Sequence, residues 1–253
     1  MKRKNSPEEF LPGQVIIAVH EYLKYIEDHC TNWDDVLFRG HSNETWNLTP
    51  KIARISRRNG LSLRTMEESM LSEFKRRSIP HLTFQPQTDW DWLALAQHNE
   101  MPTRLLDWTA NPLVALWFVV KRPAEGNSRG TVWIFFRSDE DYVSFTDNES
   151  PFNVDRTKVF RPNHLNQQIV DQDGWFTIHK YMTAQQQFIP LQNNTTYKGR
   201  LSRVAIPHDA FASIRRELNR YGLNHASVFP NLVNLSRHIE WIHSPLKDEL
   251  VGD

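Results

Sequence analysis

The stretch that decides the fold is MPTRLLDWTANPLVALWFVVKRP, Met101 to Pro123. Its second half is apolar on nearly every side. Asn111 is a good N-cap and Pro112 suits the first helical position. The spacing therefore predicts a buried helix from Pro112 to about Lys121, with Leu113, Leu116 and Phe118 in the core. The first half differs. Thr103, Arg104, Asp107, Trp108 and Thr109 crowd hydrogen-bonding groups onto the approach to that helix. They read as a polar turn held in one place by a well-anchored element, as a preorganised site requires. Each also has a plainer reading. Arg104 and Asp107 could pair to order the turn, and His98, just upstream, could be a satisfied core histidine.

Outward from this block, helical and strand patterns mix. Ile16, Val19, Leu23 and Ile26 share one helical face. DDVLFRGHS reads as a short strand, Val36 to Phe38, that ends in polar residues. From Thr65 the pattern is helical, with Thr65 and Glu68 as a capping box and Met66, Met70 and Phe74 on one side. DWDWLALAQHNE is a helix capped by Thr88 or Asp89. GTVWIFF, GWFTIHKYM and LSRVAIP are strands. The acidic segment from about Asp139 to Asn153 is a surface excursion. Asp209 caps a helix with Phe211, Ile214 and Leu218 inward and Gly222 at its end. A last helix, NLVNLSRHIEWIH, is expected to turn Leu232, Leu235, Ile239 and Ile242 inward. The elements lack regular strand–helix alternation, which favours an α+β fold of mixed small sheets with flanking helices. No domain boundary is visible, so one domain over 1–253 is expected, with its core motifs at about 36–235.

Composition narrows the classes. The chain has 253 residues, with 30 basic and 30 acidic side chains. A zero balance argues against a globally basic nucleic-acid coat and leaves room for a local patch. Cys30 is the only cysteine, so no intrachain disulfide or thiolate zinc cluster can form. The basic start has no apolar stretch behind it, and no run approaches the roughly 20 apolar residues of a membrane span. A cytoplasmic protein with no membrane partner is expected. His238 and His243 are too loosely spaced for a helical metal pair, and no metal is expected.

Three further stretches carry chemistry. In FRGHS, Phe38 to Ser42, an arginine at a strand end precedes a glycine. Arg39 could point a planar fork at a diphosphate while the backbone at Gly40 passes close by, or could pair with a carboxylate at a turn. QIVDQDGWFTIH places Gln172 and Gly174 before a strand. Gln172 suits a ribose hydroxyl, though Asp-Gly is also ordinary turn chemistry. The segment Lys51 to Arg77 is locally basic. It is a solvated face or a nucleic-acid contact.

Together these segments resemble the FRG domain family, named for the motif that stands here as Phe38-Arg39-Gly40. LFRGHSNETWNLTPKIAR, LALAQHNEMPTRLLDWTANPLVALWFVV, QDGWFTIH, RVAIP and GLNHASVFPNL look like family blocks in the expected order. The layout is distantly similar to ADP-ribosyltransferases. That resemblance implies an ADP-ribosyltransferase-like fold in which LLDWT is a strand leading into the Pro112 helix. It implies NAD as substrate and Arg39, Thr109 and Gln172 as catalytic residues. Arg39, Gly40, His98, Arg104, Asp107, Trp108, Thr109 and Phe176 would line the NAD site. It further implies a macromolecular acceptor, RNA or protein, a toxin role in bacterial phage defence, and a neutralising antitoxin. Where such enzymes carry a catalytic glutamate, this chain has Gln172 between Asp171 and Asp173. A non-catalytic nucleotide- or partner-binding module and an NAD glycohydrolase are the competing readings.

Overall fold

The computed structural model describes residues 14–30, 35–57, 60–83, 85–143, 150–162 and 174–250. Seven α-helices, a six-stranded sheet and a two-stranded sheet are formed among them. The large sheet comprises β1 (Val36–His41), β2 (Leu105–Thr109), β3 (Gly130–Phe136), β4 (Lys158–Phe160), β5 (Gly174–Ile178) and β8 (Leu201–Ile206). Its strand order is β4-β5-β2-β1-β3-β8, and every adjacent pair is antiparallel. The small sheet pairs β6 (Tyr181–Met182) with β7 (Gln187–Phe188). The class is α+β. In place of several small mixed sheets, one antiparallel sheet organises the molecule.

The helices are α1 (Val19–His29), α2 (Leu63–Ser78), α3 (Asp89–His98), α4 (Pro112–Val120), α5 (Phe211–Arg220), α6 (His225–Val228) and α7 (Leu232–His243). Strand alternation sorts the core into layers. Phe38, Ile134 and Val204 pack with α1, α4 and α5 over the β1-β3-β8 half. Leu105, Phe176 and Ile178 pack with α2 and α3 over the β2-β5 half. On the other face, Leu37, Leu106, Trp108, Phe135 and Trp175 lie under Leu48 and under Leu191 and Tyr197 of two short 3-10 turns.

The central helix forms as its composition dictates. Asn111 Oδ1 accepts the backbone N–H groups of Leu113 and Val114, and Pro112 is first in the helix. Leu116 is fully buried, whereas Leu113 and Phe118 are half-buried. α4 sits unusually close to the sheet. A Cβ on Gly40 would lie 2.0 Å from the Ala115 carbonyl oxygen, and one on Gly130 would lie 2.2 Å from Val119 Cγ1. Both glycines are therefore contact points between sheet and helix.

Several expectations change. LLDWT is a central strand, so the approach to α4 is not a turn. All of its residues but Asp107 are buried, and the charge of Asp107 hides the strand in the sequence. Ile16 lies before α1, and its N–H donates to the Ala205 carbonyl. α2 begins earlier than expected, capped by Ser62, which accepts from the Thr65 N–H. Its buried stripe is Leu63, Glu67, Leu71 and Ser78, with Met66, Met70 and Phe74 half-buried. GWFTIHKYM is two strands separated by His179 and Lys180. Asp209 lies in a short 3-10 turn before α5, whose N-cap is Ala210. Within the acidic excursion Asp141 is buried and bridges Arg156 and Arg200, which ties that loop to β8. The largest departure is α7. Leu232, Leu235, Ile239 and Ile242 are exposed, and only Asn234 of the helix is buried. Periodicity identified the apolar face correctly, but no described element covers it.

No described helix is long and apolar enough to cross a membrane.

Two stability measurements check this packing. Gly40→Ala should lower the unfolding free energy at or beyond the upper end of about 1–3 kcal/mol, because the obstruction is helix backbone. Ile239→Ser should change it by no more than about 0.5 kcal/mol, as expected of an exposed position. Chemical denaturation of both variants reads the two values. An unchanged Gly40→Ala protein would refute the close contact.

Candidate functional site

The large sheet is loosely joined at its centre. β1 pairs with β3 over six positions and β2 with β5 over five, yet β1 and β2 share one register pair, Phe38 opposite Thr109. Carbonyls on the facing edges are left for other donors. Arg39 supplies one: its Nη1 donates to the Asp107 carbonyl oxygen at 2.6 Å. The same atom is 3.7 Å from Asp107 Oδ2. Arg39 Nε donates to His41 Nε2 at 3.0 Å.

A small polar cluster grows from this contact. Asp107 is the most exposed member, with 57% of its side chain accessible. Gln97, at the end of α3, donates to Asp107 Oδ2 and accepts from the Thr103 hydroxyl. Thr103 Oγ1 in turn accepts the Leu105 N–H. The Asp107 carboxylate is thus held from two sides while facing solvent. Glu100 stands nearby on an exposed turn with φ of 62°, and its carbonyl accepts from Lys51 Nζ. Lys121, at the end of α4, feels the charges of Arg39 and Glu100. Burial first, then Arg122 and Arg39, push its pKa down to about 8 against the pull of Glu100.

The structure moves several expected site residues into supporting positions. Arg104 and Glu67 are both completely buried. Glu67 accepts from the Arg104 backbone N–H at 2.6 Å and from its Nε at 2.9 Å. The Arg104 guanidinium lies 4.6 Å from the Phe152 ring centroid. Arg104 therefore binds α2 to β2, and neither pairs with Asp107 nor reaches a ligand. Burial raises the Glu67 pKa, and its hydrogen bonds and charge pairing with Arg104 oppose that shift. Trp108 is also core: its Nε1–H donates to Thr177 Oγ1 beneath Leu37 and Phe135. Phe176 stacks on Phe160 under α3 and forms no cleft wall. Thr109 is buried, and its hydroxyl oxygen accepts the Asn111 N–H just before α4. Gly40 serves helix packing rather than ligand approach. His98 is half-buried at the end of α3, the helix that supplies Gln97. Gln172, Asp171 and Asp173 lie outside the described residues, as does Arg58 of the basic segment. Within that segment Arg64, Lys75, Arg76 and Arg77 pair with carboxylates, and Arg57 is bound to Gln186. Much of its charge is locally neutralised.

Sequence reasoning missed four contributors. Glu67 carried a signal, an acid inside the apolar stripe of a helix. His41 was visible in FRGHS without an assigned task. Gln97 and His179 gave no local cue. His179 is fully buried, with its Nε2 3.2 Å from the Thr177 hydroxyl and its backbone N–H on the Arg104 carbonyl.

Comparison with family models finds the FRG domain over residues 34–128. That span, fewer than half of the residues, resembles the FRG domain. The matched span runs from β1 to α4 and holds Arg39, Asp107 and Gln97. It is shorter than the 36–235 expected from the motifs. No curated protein and no solved structure matches the chain. The three letters of the FRG motif have separate tasks in this geometry. Phe38 fills the core under α4, Arg39 bridges the loose strand junction, and Gly40 admits the helix.

The two buried histidines give the protein a defined acid response. Burial is the largest cause for each, and both pKa values fall to about 3. Unfolded, each titrates near about 6.5. Between those values the unfolded chain binds more protons, so stability falls as pH decreases, by about 1.4 kcal/mol per pH unit for each group. His179→Gln should therefore flatten the dependence of denaturant midpoint on pH below about 6.5. An unaltered slope would show that His179 is protonated in the folded state.

Proposed function

We propose that this protein is an ADP-ribosyltransferase-like enzyme that uses NAD as substrate and transfers ADP-ribose to a macromolecular acceptor. The observation that supports this reading is the loose β1–β2 junction, where a partly accessible arginine and an exposed carboxylate lie side by side. Arg39 offers a planar guanidinium for the diphosphate. Asp107, steadied by Gln97, supplies negative charge where a ribose cation develops.

The chemistry balances without further reactants. The glycosidic bond between ribose C1′ and the nicotinamide nitrogen breaks, and nicotinamide leaves neutral with the bonding electrons. A nucleophile of the acceptor forms the new bond to C1′ and loses its proton. The enzyme's work is to orient the two reactants and favour the oxocarbenium-like state. Gln172 keeps its sequence-based assignment to the ribose 2′-hydroxyl, and His98 its place beside the site. The toxin role and a neutralising antitoxin follow from family analogy alone. The binding-module reading draws on one feature: Arg39 and Asp107 already satisfy each other, as a pair with a purely structural task would.

Labelled NAD incubated with the purified protein, with and without RNA, DNA or cell protein, separates these readings. Transfer of label to an acceptor supports the transferase. Release of free ADP-ribose marks a glycohydrolase, and NAD binding without turnover marks a binding module. Arg39→Ala should abolish turnover while circular dichroism stays native, and Arg39→Lys should lose most of it. Asp107→Asn should lower kcat more than it raises KM. Full turnover by the Arg39 variants would end the assignment.

A further inference from the structure

A hollow of about 540 Å³ lies on the β1-β3-β8 half of the sheet, on the face away from α4. Its size is within the roughly 300–1,000 Å³ of small-molecule sites. Trp133 forms its floor, and Trp46, Asn47, Gln192, Lys198 and Arg203 stand around it. None of Arg39, Gln97 or Asp107 lines it. In register, Arg39 sits opposite Trp133 and Trp133 opposite Arg203. The Arg39 guanidinium turns towards β2, away from this hollow, so the floor tryptophan separates the two places.

The walls are ordered before any ligand arrives. Gln192 Oε1 accepts the Leu48 N–H, and its Nε2 donates to Asn47 Oδ1. The Leu191 N–H donates to the Leu48 carbonyl. These bonds lock the segment carrying Trp46 to the 191–193 turn. They consume the Asn47 acceptor and leave its amide N–H groups as donors. Trp46 is 46% exposed. Trp133 is 8% exposed, yet its Nε1 donor has no hydrogen-bond partner among the described residues. Arg203 and Lys198 have no carboxylate partner among the described residues. Glu44, also on the rim, is paired with Arg129 at 2.8 Å. The chemistry on offer is therefore an exposed tryptophan, amide donors, the exposed Lys198, and Arg203, whose guanidinium lies 5.4 Å from the Trp133 ring centroid.

From this we infer that the hollow is a second binding site, separate from the Arg39 cleft, for a nucleoside 5′-phosphate unit. The base stacks on Trp46, and the phosphate is held by Arg203 and Lys198. An acceptor oxygen or nitrogen of the ligand takes the amide donors of Asn47. The same unit occurs free or within a single strand of nucleic acid, and both present the chemistry these walls recognise.

Titration calorimetry on the full chain tests this without turnover, and the Trp46 and Arg203 variants read the hollow separately from any binding at Arg39. The probes are AMP, ribose 5-phosphate and a five-nucleotide oligoadenylate. AMP should bind saturably, and ribose 5-phosphate at least tenfold more weakly, because it lacks the base. Trp46→Ala and Arg203→Ala should each weaken AMP by roughly tenfold. Both are surface changes, and unaltered melting temperatures will confirm the fold. Ile239→Ser, on the exposed face of α7, should leave AMP affinity unchanged. Tighter binding of the oligonucleotide than of AMP supports the site and gives its natural source as a strand; equal binding supports it and indicates a free nucleotide. Absence of saturable binding by both probes overturns the proposal. So does insensitivity to Trp46→Ala and Arg203→Ala, and so does equal loss in Ile239→Ser, which would mean a loss not specific to the hollow.

Discussion

The close seat of α4 on the sheet is the constraint from which the rest follows. Backbone meets backbone at Gly40, and Val119 fills the place where a Gly130 side chain would be. Any larger residue at either position would lift the helix. A seated α4 fixes where its N-terminus lies, and Asn111 fastens that end two residues after β2. The end of β2 is thereby delivered to β1 at Thr109, where the two strands make their single register pair. Beyond that point β2 follows β5, while β1 follows β3. The opening that exposes Asp107 beside Arg39 is a product of helix packing.

The two halves of the sheet are held by different physics. The β1-β3-β8 half is fastened by apolar burial under α1, α4 and α5, where each large aliphatic side chain contributes about 1.5–3 kcal/mol. The β2-β5 half adds a dry ion pair. Glu67 and Arg104 lose their hydration, and the return comes from two short hydrogen bonds between them. Such a pair is weak evidence for net stability but strongly penalises any arrangement that separates its members, by about 3–5 kcal/mol when one is removed. It specifies how α2 docks on β2. That precision matters because Gln97 and Asp107 lie on neighbouring elements of the same half.

Legibility followed locality. The caps at Asn111 and Thr88 were readable because their partners lie within a few residues, and GTVWIFF and the inward face of α5 because their apolar patterns are unbroken. Arg104 was misjudged because its partner is 37 residues away. LLDWT looked like a turn because Asp107 and Thr109 interrupt its apolar pattern, and only β1 and β5 make it a strand. α7 shows the opposite limit: its pattern was read correctly, but periodicity carries no information about what lies opposite an apolar face. Within the candidate site, Arg39 and Asp107 were named and do meet. Gln97 was invisible because nothing in ALAQHNE distinguishes an amide that bridges two side chains from one facing water.

The resting state of the Arg39–Asp107 junction bears on how the transferase reading would operate. Arg39 is neutralised by Asp107 through a side-chain contact of 3.7 Å, and Asp107 is more than half exposed. Such pairs are worth about 0–1 kcal/mol. A diphosphate offers Arg39 a bidentate partner of higher charge and displaces that contact at little cost. The backbone bond from Arg39 to the Asp107 carbonyl is shorter, at 2.6 Å, and need not break. Gln97 continues to hold Asp107 Oδ2. Diphosphate binding would then release the carboxylate from its counter-ion while leaving it in position. On that reading the negative charge would become available at the step that generates a ribose cation and would stay masked without bound diphosphate.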